Sequence, residues 1–165
     1  MRTNLILACA AACWCGAIIA APAAAGSSNA VLRTGAAVMY AVSSTVCHQW
    51  DSHSFHLFGL KLPVCIRCSA IYFSFLAGVL LSPSAGRMLT EKFSARTLWA
   101  AAAGGMILDV ALSAAGIAPS TTASRLVTGG MFGLLSAFIL APMLQDCIAR
   151  ILSHLLHTHY GTKTR

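Results

Sequence analysis

Residues 64–82 read VCIRCSAIYFSFLAGVLLS. The stretch opens on Cys65-Ile66-Arg67-Cys68 and then runs without a charge from Ser69 onward. A spanning helix needs about 20 mostly apolar residues, and this run approaches that length. Composition decides what surrounds it. The chain has 165 residues, 58% of them apolar and only 9% charged, with a mean hydropathy of +0.76. A soluble domain carries about a quarter charged residues. So few charges cannot cover a water-facing surface, so the solvent is lipid and the expected fold is an all-α integral membrane helical bundle.

Other runs of the same kind flank this one. Residues 5–25 carry no charge, follow Arg2 and end in APAAAG. They predict either a cleaved signal peptide or a retained signal-anchor helix over residues 1–25. Residues 97–117 form a further run, interrupted by Asp109, and residues 126–145 form another with no charge. The breaks between them hold Pro83, Gly86, Gly116 and Pro119, as helix ends should. Residues 31–46 contain Arg33. At 1.5 Å per residue they reach about 24 Å, short of the roughly 30 Å hydrocarbon core, and predict a short interfacial helix. The expected organisation is a membrane domain over 26–145, with three core spans and a Cys/His loop at 47–68. A cytoplasmic amphipathic tail follows over 146–165, where Ile148, Ile151, Leu152, Leu155 and Leu156 recur at helical spacing.

The net charge is +7. The basic residues sit in short clusters without interleaved aromatics, so nucleic acid is not the expected partner. Orientation in the bilayer and contact with anionic lipid account for them. With the N-terminus inside, the inner face holds Arg2, Arg87, Lys92, Arg96, Arg150, Lys163 and Arg165. The outer face holds Arg33, Lys61, Arg67 and Arg125. This bias places the Cys/His loop on the extracytoplasmic side of a bacterial inner membrane.

The chemistry is concentrated at the head of the 64–82 run. The mouth of a helix stabilises a thiolate through its unpaired N–H groups and dipole, and Arg67 adds positive charge. Cys47 and His48 lie upstream, across a segment that can fold back at Gly59 and Pro63. Three readings stand. Cys47, His48, Cys65 and Cys68 bind a metal ion, with zinc as the candidate cofactor. Alternatively Cys65 and Cys68 are the catalytic pair of a membrane thiol–disulfide oxidoreductase serving a quinone or a protein partner. In the third, Cys47 forms a structural bridge to one of them. Whether the chain is an enzyme stays open. His53 and His56 read as interfacial or packing residues.

Cys47-His48-Gln49, Ser54-Phe55, Phe58-Gly59, Leu62-Pro63-Val64-Cys65, Arg67-Cys68 and Ile71-Tyr72 together resemble the domain of unknown function 2085 family of small bacterial membrane proteins. Asp109, the segment Ser120–Arg125, Thr128-Gly129 and Gly133 extend the resemblance over about residues 40–145. The chain departs from the family pattern at His53, usually Arg, at Ala70 and Ser74, usually glycine, and at Thr122, usually Asn. The resemblance implies a membrane protein and brings no established activity.

Asp109 sits mid-run, where an ionised carboxylate costs at least a few kcal/mol. It should pair with Arg67 or Arg125, both near the same bilayer face, beneath the Cys/His cluster; the alternative is a bond to Ser113 or a backbone carbonyl. Gly129 and Gly133 form a G-x-x-x-G face for close helix packing, with Gly104-Gly105 a candidate match. The face also offers a route to a homo-oligomer or a membrane-protein partner. His154, His157 and His159 form an H-x-x-H-x-H string that reads as a solvated tail. The chain has no P-loop, nucleophile elbow, dinucleotide fingerprint or H-E-x-x-H. Its only acids are Asp51, Glu91, Asp109 and Asp146, too few for carboxylate-pair hydrolysis or an all-oxygen metal cage.

Overall fold

The computed structural model describes residues 2–82 and 87–161, together with most of their side chains. Its elements are helix α1 (Arg2–Ala25), helix α2 (Ala30–Ser44), a 3₁₀ turn (Asp51–His53), strands β1 (Ser54–Leu57) and β2 (Leu60–Cys65), and helices α3 (Ile66–Leu81), α4 (Arg87–Lys92), α5 (Ala95–Ala114) and α6 (Thr122–Gly161). The fold is a helical bundle with one small hairpin.

Among the described residues, three stretches are long and apolar enough to cross a bilayer: Thr3–Ala25, Ala95–Ala114 and Thr122–Ile151. The N-terminal helix therefore belongs with the long spans. The 64–82 run is shorter than expected, because its first residues are drawn into β2 and only Ile66–Leu81 is helical. Lipid-facing apolar side chains such as Ile107 and Leu108 on α5 stay uncovered by the protein, as a bilayer solvent permits.

Local chemistry sets the boundaries. Asn29 caps α2 by accepting from the Val31 N–H at 2.9 Å, and Ser94 caps α5 by accepting from the Thr97 N–H at 3.2 Å. Helix α5 ends three residues before its run does. Gly116 adopts φ +68°, and the Ile117 N–H returns to the Leu112 carbonyl at 3.0 Å, a Schellman close that satisfies the last carbonyls. The hairpin was not anticipated in the 47–68 loop. Its turn is Phe58-Gly59, with φ +55° and +76°, the two left-handed residues a tight hairpin turn requires. The ladder is irregular between Ser54 and His56, close to Pro63, which has no N–H to donate.

Helix α3 is the hub, clasped between α6 and α1. A Cβ on Gly129 would stand 2.6 Å from the Arg67 carbonyl oxygen, and one on Gly78 would stand 2.5 Å from the Ala137 Cβ. Gly133 is as close against Ile71 and Ser74. The G-x-x-x-G face is thus used within the chain. Its partner is α3 rather than Gly104-Gly105, where an added Cβ would meet nothing within 4 Å. Helix α5 leans on α6 through Trp99 and Phe132, whose rings lie 5.5 Å apart. Helix α1 is tied to α6 by the Gln145 amide donating to Asn4 at 2.9 Å.

One core cluster joins Ala8, Val79, Ala137 and Ala141. A second joins Ile18, Cys47, Leu62 and Val64, with Trp14 and Tyr72 packed against it. Helix α6 passes residue 145 without a break, through Pro142. The side chains of Leu152, Leu155, Leu156, His154, His157 and His159, and residues Pro83, Gly86, Lys163 and Arg165, lie outside the described residues.

Candidate functional site

Cys47 leaves the end of α2, where its N–H still bonds to the Ser43 carbonyl at 3.0 Å. Cys65 closes β2 and is the N-cap residue of α3; Cys68 stands in the first turn of that helix. Residues three apart share a helix face, so the C-x-x-C spacing brings its two sulfurs together. The hairpin carries Cys65 back to Cys47 across 18 residues, and the Cys65 N–H donates to the Cys47 sulfur at 3.1 Å. The three sulfurs all lie within 4.8 Å of one another. Cys47 is buried over Ile18 and Val64, while Cys65 and Cys68 are half-buried.

The electrostatics single out Cys65. The Cys68 thiol hydrogen-bonds to it and lowers its pKa from the ordinary 9.0 to about 5. Burial opposes that shift, while the Cys68 and Arg67 backbone N–H groups and the Cys47 thiol reinforce it. These are the orphan donors of a helix start acting on a sulfur, as the sequence position implied.

Four segments meet beside the sulfurs around a cavity of about 530 Å³. Its walls include Cys47, Cys65, Cys68, Ser113, Ser120 and Arg125, with Val46, Trp50, Val110 and Ala114 supplying apolar surface. His48 lines the cavity but does not join the sulfur group; its exposed ring meets Trp50 edge-on, with centroids 6.2 Å apart. Among the described residues, the metal-capable group is the three cysteines alone.

Asp109 pairs with Arg67, one of its two expected partners. Because α5 ends at Ala114, the carboxylate lies five residues, about 7.5 Å, from the helix end, shallower than the run implied. Ser120 is the junction. Its hydroxyl donates to Asp109 at 2.9 Å and accepts from Arg67 at 3.2 Å and from the Arg125 Nε at 3.1 Å. Ser113 accepts from the Ser120 N–H at 3.3 Å and holds that junction in place.

Arg125 then reaches His53, with Nη2 to Nε2 at 2.9 Å. A guanidinium only donates, so this histidine nitrogen accepts and the ring is neutral. Burial, followed by the Arg125 charge, holds the His53 pKa below its usual value. His53 and Ser120 are the residues that sequence reasoning missed as parts of the site. His53 and Arg125 are 72 residues apart, and no spacing rule links them.

A family model described as "Predicted membrane protein (DUF2085)" matches residues 47–139, more than half of the chain, including the three cysteines, His53, Arg67, Asp109, Ser120 and Arg125. Uncharacterized protein MJ1492 from Methanocaldococcus jannaschii is 31% identical over 110 residues, covering 67% of this chain and 70% of that protein. That relative is archaeal, so the family is not confined to the bacterial membranes that the sequence reading assumed. No solved structure matches the chain.

Proposed function

The chain belongs to the DUF2085 family of predicted membrane proteins, and from that premise we propose that it is a membrane module holding one divalent metal ion, zinc by ligand chemistry, on Cys47, Cys65 and Cys68. The observation that carries this reading is the triangle of sulfurs within 4.8 Å, assembled from two segments. A thiolate set of this kind suits zinc, with Zn–S bonds of about 2.3 Å. A bridge needs two sulfurs and leaves a third; here all three converge, and the Cys65 N–H donates to the Cys47 sulfur. We place the site at the extracytoplasmic mouth of the bundle, on the charge bias of the loops.

The test is metal content and thiol count on the full chain purified in detergent. One zinc per chain, lost together with Cys47→Ser or Cys68→Ser, is the expected result. Metal-free protein with a reversible Cys65–Cys68 bond supports instead a thiol–disulfide oxidoreductase. The lowered pKa of Cys65 is the observation that favours that second reading. A Cys47 bridge resistant to mild reductant points to a structural staple.

A further inference from the structure

The sulfur triangle is one ligand short of a closed tetrahedral site, and structural zinc sites are closed whereas reactive ones keep a position open. The adjacent amino acid best able to close it is His48, but its ring faces Trp50 and stands outside the sulfur group. The space next to the sulfurs is a cavity of about 530 Å³, within the size range of small-molecule sites.

The same cavity is lined by Arg125, a cation equipped for an anion. Arg125 makes two polar contacts, to Ser120 and to His53, neither of them a carboxylate. Among the described residues no acid lies within ion-pair distance of it, since Asp109 is taken by Arg67. Arg has five N–H donors, and the remaining ones are free to take an oxyanion in the fork geometry that suits carboxylates. His53 is neutral, so it neither cancels this charge nor adds to it.

Resting on the metal reading above, we propose that the site is open: a small solute enters the cavity, gives one donor atom to the metal's fourth position, and lodges a carboxylate on Arg125. The ligand class is a mercapto- or hydroxycarboxylate. The step is a ligand exchange in which the solute's thiol gives its proton to solvent as its sulfur bonds to the metal, or its hydroxyl oxygen bonds directly, and a water molecule leaves. No electron changes hands. Three thiolates on a divalent ion leave one negative charge, a bound thiolate from the solute makes it two, and the Arg67–Asp109 pair is neutral. Arg125 supplies the positive charge that allows a ligand bearing a carboxylate to approach.

The experiment uses the full chain in detergent, reduced and loaded with Co²⁺, whose visible bands report coordination. Mercaptoacetate is titrated against 2-mercaptoethanol, which has the thiol and lacks the carboxylate. A new sulfur-to-cobalt absorption is expected with both. Mercaptoacetate should bind about tenfold more tightly, the scale of one charge-assisted hydrogen bond. Arg125→Gln should erase that preference and Arg125→Lys should retain part of it, provided each elutes as a monodisperse species. Cobalt bound without response to either thiol overturns the open site and leaves the metal reading standing. A site that admits thiols only after His48→Ala overturns it in the same way and names His48 as the closing ligand. A mercaptoacetate preference that survives in Arg125→Gln overturns Arg125 as the seat of the carboxylate. Failure of the native chain to bind Co²⁺ at all overturns both readings together.

Discussion

Asp109→Ala tests the polar floor of the site directly. The Asp109 side chain is 13% exposed and that of its partner Arg67 20%, so the pair sits where solvent screens little. Deleting one member of a buried pair costs about 3–5 kcal/mol, because the other charge stays behind without its partner. The structure places this case at the low end, about 3 kcal/mol. Arg67 keeps its bond to the Ser120 hydroxyl, and a fifth of its side chain still reaches solvent. Ser120 loses its acceptor, which adds to the cost. The second arm is Arg67→Met, and the third is the double variant. If the charge left behind is what destabilises, the double variant loses clearly less than the sum of the singles, with a coupling energy above about 1 kcal/mol. The assay is reversible unfolding in mixed detergent followed by helical circular dichroism, with each variant's monodispersity checked first. An Asp109→Ala penalty under about 1 kcal/mol, or strictly additive singles, refutes the reasoning and makes the ion pair incidental.

Three further outcomes follow from separate parts of the molecule. Gly133→Ala should destabilise by about 1–3 kcal/mol through overpacking of α6 on α3, whereas Gly105→Ala, facing open space, should be neutral or stabilising by up to about 1 kcal/mol; equal effects in thermal unfolding would refute the packing asymmetry. Phe58→Asn should relieve a left-handed turn position and raise the midpoint by about 2–4 °C for about 1 kcal/mol; a lower midpoint would count against the turn. In metal-free, reduced protein, iodoacetamide should label Cys65 at a rate that is flat above about pH 6 and falls as pH drops through about 5. The linked sign is that of a depressed acid: its stabilisation is full above the ordinary 9.0, declines below it, and is gone below about 5. A labelling midpoint near 9 by mass spectrometry would contradict the hydrogen-bonded thiolate.

What the sequence disclosed depended on how local each signal was. Hydropathy and charge placed the helices because solvent acts on every residue of a run at once. The boundary errors arose where one residue overrode the run. Gly116 closed α5 early, and β2 consumed the head of the 64–82 stretch before Cys65 could start α3. The C-x-x-C pair was legible from its spacing alone, and Asp109 from the cost of a charge in lipid, which names a need for a partner without saying which. Arg67 won over Arg125 because α3 is pressed onto α6 at Gly129, so that its guanidinium stands over Asp109 and Ser120. Arg125 reaches His53 instead. The outcome is a feature no local signal carried, an arginine with spare donors lining the same cavity as three sulfurs. The close approach of α3 and α6 at Gly129 accompanies the Arg67–Asp109 pair, and the second cation is the one left for the proposed ligand.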